Sequence, residues 1–319
     1  MVFLLKLVLI MSQTTPCLQL EKMILLPVSV ESHALAQKWQ EDLWLLINQP
    51  GDRETQLLKI TSSHRVEIIA ALPILAASMT NCNQQMIVTG SNAEGRPLVI
   101  GLDAQGRLLW EYLFSGPEPT TWPVAACGPM PTIAWQQTPD KIEVGMLDMK
   151  SATLFRKPAI TVGAPPAKIF SWKNKIWGVW AEKNGLHIVD LAEAIERVVL
   201  TDGIYANEFS IGQSSEGTYF GWTAGNQAYW LLPETSLPTS VVLENAAGGT
   251  FSLISGEAPL IWIQKSKEGL DGNLEWESTL VLQDTKPHIL DGFVFIVSWW
   301  QQRVVVVNQS RILLLKIEF

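Results

Sequence analysis

The chain has 319 residues, 47% hydrophobic and 17% charged, enough to bury the core of one large or two ordinary domains and too apolar to remain disordered. Its 23 basic residues stand against 31 acidic ones, a net charge of -8 that lacks the positive field needed to gather nucleic-acid phosphates or anionic lipid, so no nucleic acid is expected as a partner. Three cysteines, an odd number without CxxC spacing, support neither a disulfide framework nor a zinc site.

The first feature along the chain is Met1 to Met11 (MVFLLKLVLIM), apolar apart from Lys6. It is well short of the roughly 20 residues that cross a bilayer. It has the length of a signal-peptide core, but Lys6 interrupts the apolar run instead of preceding it, and SQTTPC offers no small-x-small cleavage site. Residues 1–17 are therefore read as an N-terminal extension, either a mis-called start with Met11 as the real one or a weak signal-like segment, and 18–319 as one domain without membrane insertion. A cytoplasmic protein is expected, with export as the alternative if Met1 to Met11 is a targeting segment.

Next comes an orphan apolar strand, LQLEKMILLPV (Leu18 to Val28), and then a repeat. Trp135, Trp180, Trp222 and Trp262 sit in the middle of apolar runs at steps of 45, 42 and 40 residues. Trp44 lies two such steps earlier, and QQMIVTG near Val88 is the copy without a tryptophan. Around each centre, short β-branched and aromatic runs alternate with Gly, Pro, Asn and Asp turns, the pattern of four short strands. First strands are predicted at HALAQKW, ILAASMT, WPVAACG, AKIFSW, NEFSIG, TFSLIS and FVFIVSWW, with centres 40 to 48 residues apart. In the sixth copy, Ser266 to Asn273 reads as a longer connection. LAEAIERV (Leu191 to Val198) is the one stretch with a helical look, in a place where the repeat requires a strand.

Seven four-stranded units either stack linearly or close into a ring. The seventh copy ends one strand short, with RILLLKIEF at the terminus, while the chain opens with an unassigned strand. Pairing those two ends closes a seven-bladed β-propeller whose last blade takes the N-terminal strand, with the mid-blade tryptophans buried between neighbouring sheets. This architecture resembles the WD40-like and quinoprotein-like propellers. Asp103 in GLD, Asp148 in MLD and Asp190 in IVD occupy the place of the WD dipeptide, although no copy has the tryptophan or the Gly-His; they are read as turn residues. Gly101 to Tyr112 (GLDAQGRLLWEY) is similar to one quinoprotein repeat, in which an aspartate, a turn glycine and a tryptophan staple adjacent blades. The resemblance is one of architecture and transfers no functional residue.

No catalytic signature accompanies the repeat. His33, His64, His187 and His288 form no pair with metal-binding helix spacing, and the sequence holds no GxSxG, HExxH or P-loop. No cofactor is expected. Cys82 and Cys127 fall at the first-to-second-strand turns of adjacent blades, where their sulfurs are able to approach; the preferred reading is two unrelated buried thiols. Blade-joining loops and second-to-third-strand loops emerge on one face. The blade-joining loops carry Glu31, His33, Glu118, Asp202, Glu208 and Asp291, an acidic rim with hardly a base. These six are the candidate binding residues. The expected role is a non-enzymatic scaffold that binds other proteins through this face. The alternatives are a propeller enzyme acting on a carbohydrate or lactone, or using a quinone, in the central channel, and an exported glycan-binding or envelope-assembly protein.

Overall fold

Apolar runs of about four to nine residues between turn-forming residues have the period and length of strands. In the computed structural model the described residues form strands and turns, with no helix. It describes residues 17–318 except 50, 52, 83, 116–118, 129, 164–166, 173–174, 183–184, 200–208, 215–216, 225–226, 232–238, 243–249, 255–259, 269–273 and 283–287, and between 209 and 254 it describes backbone strands alone.

The first strand is β1 (Cys17–Leu25). Sheet I holds β2 (Ala34–Trp39), β3 (Asp42–Gln49), β4 (Glu54–Ile60) and β5 (Val66–Leu72); sheet II holds β6 (Leu75–Cys82), β7 (Gln85–Ser91), β8 (Pro97–Leu102) and β9 (Leu108–Leu113). Sheet III holds β10 (Thr121–Ala126), β11 (Thr132–Thr138), β12 (Lys141–Asp148), β13 (Thr153–Arg156) and the short β14 (Ile160–Thr161), which also pairs with β12. Sheet IV holds β15 (Lys168–Trp172), β16 (Lys175–Glu182), β17 (Gly185–Asp190) and β18 (Ile195–Val199); sheet V holds β19 (Phe209–Ser214), β20 (Gly217–Ala224), β21 (Gln227–Leu231) and β22 (Thr239–Val242). Sheet VI holds β23 (Thr250–Ile254), β24 (Leu260–Glu268), β25 (Leu274–Leu282) and β26 (His288–Asp291). Sheet VII is assembled from β27 (Val294–Trp300), β28 (Arg303–Asn308), β29 (Arg311–Glu318) and β1.

β1 runs antiparallel to β29, from Cys17 opposite Glu318 to Leu25 opposite Arg311, so the first and last described strands are neighbours. The strand stops at Leu25, short of the expected Val28, ahead of Pro27, which has no N–H to add to the ladder. Glu21 of β1 holds Arg303 of β28 in a two-pronged ion pair, with Nη2 to Oε1 at 2.9 Å. The stretch with a helical look is a turn over 191–194 followed by β18. The Asp190 carboxylate accepts the backbone N–H groups of Ala192 and Glu193, and β18 then pairs with β17. The expected long connection of the sixth repeat is partly strand, because Ser266–Glu268 extends β24 and pairs with β25.

The core lies between sheets, and strand alternation puts it there. On β3, Leu43, Leu45 and Ile47 pack with Val305, Val307 and Ile312 of sheet VII, while Trp44 and Leu46 point the other way, to Met86, Val88 and Ile100 of sheet II. On β28, Val304 and Val306 face Leu260 and Leu280 of sheet VI. Trp135 fills the junction of sheets II and III, and Trp180 that of III and IV. Trp44, Trp135 and Trp180 retain 3%, 1% and 3% of their exposure, confirming them as packing residues, and Val88 takes the tryptophan position in sheet II. The Trp222 side chain lies outside the described residues.

Two junctions also share a polar device. Asn48 and Thr55 are cross-strand partners on β3 and β4, both buried. Asn48 Oδ1 accepts the Ala76 N–H at 3.0 Å and its Nδ2 donates to Ala76 O at 2.9 Å, while Thr55 Oγ1 accepts the same N–H at 3.1 Å. Gln264 and Ser278 repeat the arrangement on β24 and β25, where Gln264 Oε1 accepts the Val294 N–H at 2.8 Å and the Ser278 hydroxyl at 2.9 Å. In each case an amide and a hydroxyl receive the backbone that enters the next sheet, which satisfies a buried N–H that the ladder leaves unpaired.

Candidate functional site: the loop face

In an antiparallel four-strand meander, the start of the first strand, the second-to-third turn and the end of the fourth strand lie on one side. Among the described residues, the segments that join sheet VII to I, I to II and VI to VII lie on that side with those turns, and two recesses open there. The larger, about 600 Å3, lies where sheets VI, VII and I meet and is lined by Glu31, Gly292, Phe293, Phe295, Asn308 and Arg311 among others. Trp276, Phe293 and Phe295 form a ladder of edge-to-face rings, with centroids 4.9 and 4.8 Å apart. Trp276 and Phe293 remain 39% and 37% exposed. Trp276 stands on the extended β24–β25 hairpin. Its carbonyl accepts the N–H of Gly292 at 2.8 Å, at a turn whose φ of +97° favours glycine. Glu31 and Arg311 border the recess with opposite charges, and neither has an ion-pair partner among the described residues.

The second recess, about 430 Å3, is lined by His33, Asn48, Leu75, Ala77, Ser91 and Trp122 among others. The His33 residue as a whole is exposed, yet its ring is turned toward the backbone of Ala77. Loss of water around the ring holds its pKa below the usual histidine value, opposed by that hydrogen bond.

No protein-family model matches this chain, and no curated protein matches it. Solved structures do. A chain in the crystal structure of the Mitotic Checkpoint Complex is similar over 94% of this chain and 96% of its own, with a TM-score of 0.60 at 14% identity. The structure of U3-55K is similar over 92% and 98%, with a TM-score of 0.58 at 9% identity. The crystal structure of RRP9 WD40 repeats is similar over 92% and 100%, with a TM-score of 0.52 at 9% identity. This chain has a WD40-like β-propeller fold.

In this propeller the six sequence-predicted residues are placed as follows. Glu31 and His33 border the two recesses, one each. Asp291 ends β26 opposite Glu277, beside Gly292 of the larger recess. Glu118, Asp202 and Glu208 lie outside the described residues. Sequence reasoning missed Arg311, Trp122 and the ladder of Trp276, Phe293 and Phe295. Phe293 and Phe295 were grouped with the core strand FVFIVSWW; Phe295 does pack against the core shared with sheet I, whereas Phe293 stands just before β27 and stays half-open, and the register shift between Val294 and Ile296 breaks the alternation that would have separated them.

On the opposite face of the propeller, the third-to-fourth turns are built by the aspartates. Asp103 accepts the N–H groups of Gln105 and Arg107, each at 2.9 Å, and Asp148 accepts that of Lys150 at 2.9 Å, as expected of turn residues. The repeat similar to the quinoprotein type also works as a staple. A Cβ on Gly106 would meet Ile69 and Leu57 of sheet I, while Trp110 packs toward the core shared with sheet III.

The same face corrects one expectation. Cys82 ends β6, Cys127 follows β10, and the two are joined in a disulfide with Cα atoms 4.9 Å apart, so they are not separate thiols. Equivalent turns of adjacent sheets lie side by side, and these two bring their sulfurs together. Elsewhere, His187 stacks on Trp180 at 5.7 Å and lies between Glu182 and Glu196 on sheet IV. Among the described residues no group of His, Cys, Asp or Glu is arranged to hold a metal ion, and no helix is long and apolar enough to cross a membrane.

Proposed function

We propose that this chain is a non-enzymatic interaction scaffold that binds an extended segment of another protein through the loop face. In this reading residues 18–319 form a single seven-bladed ring, with β1 as the latch of its last blade. The cores between I and II, II and III, III and IV, VI and VII, and VII and I support the ring, as does the proximity of β19 to β23.

The observation that carries the reading is the recess at the VI–VII–I junction: half-open aromatic rings beside a carboxylate and a guanidinium that have no ion-pair partner among the described residues. Exposed aromatics and arginine are the residue types that anchor protein interfaces. The geometry suits a segment with one large apolar side chain set on Phe293 and Trp276, flanked by an acidic residue for Arg311 and a basic one for Glu31. The net charge of -8 argues against nucleic acid as the ligand. The likeness to a chain in a structure titled as a complex is compatible with a subunit role.

The test is quantitative capture of a defined partner, identified by crosslinking to the wild-type chain, by Phe293→Ala and Arg311→Glu variants. Loss of at least roughly 30-fold in affinity is expected from each, as for an interface anchor, while Arg107→Ala on the opposite face keeps wild-type binding. Full retention by both recess variants would overturn the assignment.

A further inference from the structure

A disulfide joins sheets II and III on the face opposite the recesses. Cys82 and Cys127 are 45 residues apart, one repeat, and hold equivalent places at the first-to-second turns of sheets II and III. Cys82 is 2% exposed and belongs to the core shared by the two sheets, with Ile87, Val99, Ala125 and Trp135. Their Cα atoms are 4.9 Å apart, within the range a disulfide spans without backbone movement, so the folded ring presents the two thiols to each other at high effective concentration. The third cysteine, Cys17, is unbridged and sits on β1 of sheet VII.

We propose that the Cys82–Cys127 bridge is present in the working protein, and that the chain therefore folds and acts in an oxidising compartment. Persistent disulfides belong to such compartments and are rare where glutathione and thioredoxin keep thiols reduced. This places the protein on the export side of the two localisations raised by the sequence, where Met1 to Met11 already has the length of a signal-peptide core. The oxidant is a disulfide-bonded protein of the thiol-exchange class. The thiolate of one cysteine attacks the oxidant's disulfide, forming a mixed disulfide and releasing one oxidant sulfur. The thiolate of the other cysteine attacks the mixed disulfide, the Cys82–Cys127 bond forms, and the oxidant leaves as a dithiol carrying two electrons and two protons. Bridging covalently ties two sheets that also share the packing of Ile87, Ala125 and Trp135.

The experiment uses the full chain isolated from its own cells, with thiols alkylated under denaturing conditions at lysis and counted by intact mass. One adduct, on Cys17, is expected without reductant and three after reduction. Three adducts without reductant would overturn the proposal. In parallel, reductant is expected to lower the wild-type Tm by about 3–6 °C and to leave the Tm of a Cys82→Ala/Cys127→Ala variant unchanged. An equal response of both proteins to reductant counts against a structural bridge. Neither readout involves the recess at the VI–VII–I junction, so failure here is distinguishable from failure of the partner reading.

Discussion

The amide–hydroxyl pair beneath Ala76 makes the sharpest stability prediction. Asn48 and Thr55 are 8% and 0% exposed, and both accept the same backbone N–H, at 3.0 and 3.1 Å. Thr55→Val preserves shape and removes a hydroxyl whose Oγ1 lies 2.6 Å from Asn48 Oδ1 and 2.5 Å from Ile74 O, with one proton to donate to one of the two. Ala76 N–H keeps Asn48, so the cost is about 1 kcal/mol, that of one net hydrogen bond. Asn48→Leu removes one acceptor from Ala76 N–H and the amide donor to Ala76 O, while Thr55 still receives the N–H; about 2–3 kcal/mol is expected. The double variant leaves that N–H without either acceptor, which adds roughly 1–3 kcal/mol, while the direct Asn48–Thr55 contact, lost in both singles, is counted once too often by about 1 kcal/mol. The orphaned amide is the larger effect, so the double variant should be destabilised by about 1 kcal/mol more than the sum of the singles. Urea unfolding followed by tryptophan fluorescence measures all four proteins. A double variant at or below the additive value would refute the claim that the two side chains share one buried backbone donor.

Other outcomes follow from single sites. Gln264→Leu removes the acceptor for Val294 N–H and the Ser278 hydroxyl and should cost about 2–3 kcal/mol in the same urea assay, with Ser278→Ala costing less. A Cβ on Gly101 would lie 2.2 Å from the Trp110 ring, so Gly101→Ala should displace the indole from Gln85, cost about 1–3 kcal/mol and shift tryptophan emission. Beside β1, burial first and then the nearby charges of Lys22 and Arg303 lower the pKa of His64 from 6.5. Its contribution is intact above pH 6.5 and is lost as pH falls from there through the lowered folded value; His64→Asn should flatten Tm over that window. Glu21, held by Arg303, has its pKa lowered from 4.5. Its contribution is present above that value and is lost as pH falls through the folded pKa, so Glu21→Gln should remove this acid-side slope, a small effect for a half-open pair.

The repeat was legible in the chain because each unit depends on local rules: alternation, β-branched runs and turn residues at intervals near 43. All seven proposed first strands coincide with β2, β6, β10, β15, β19, β23 and β27, and the aspartates proposed as turn formers hold backbone N–H groups at those turns. Trp44, Trp135 and Trp180 were legible for the same reason, since a large ring in the middle of an alternating strand has only the neighbouring sheet to cover it. LAEAIERV misled because its composition favours a helix, whereas pairing of Ile195–Val199 with β17 is a tertiary contact that overrides propensity. The candidate site was legible only in part. Glu31 and His33 were found from loop position, but Arg311 and Phe293 border the recess from positions 18 residues apart, Trp276 meets the Phe293 ring from another strand 17 residues earlier, and no local pattern announces that the three come together.

Local sequence thus determined where strands begin, turn and end, because backbone geometry and side-chain alternation act over a few residues. Only the tertiary structure decided which ends meet. Cys17–Leu25 finds Arg311–Glu318 across nearly the whole chain, Cys82 finds Cys127 one repeat away, and Asn48 with Thr55 receives a backbone N–H from the next sheet. Those contacts join residues through space, where burial and unsatisfied polar groups set the energy and distance along the chain does not.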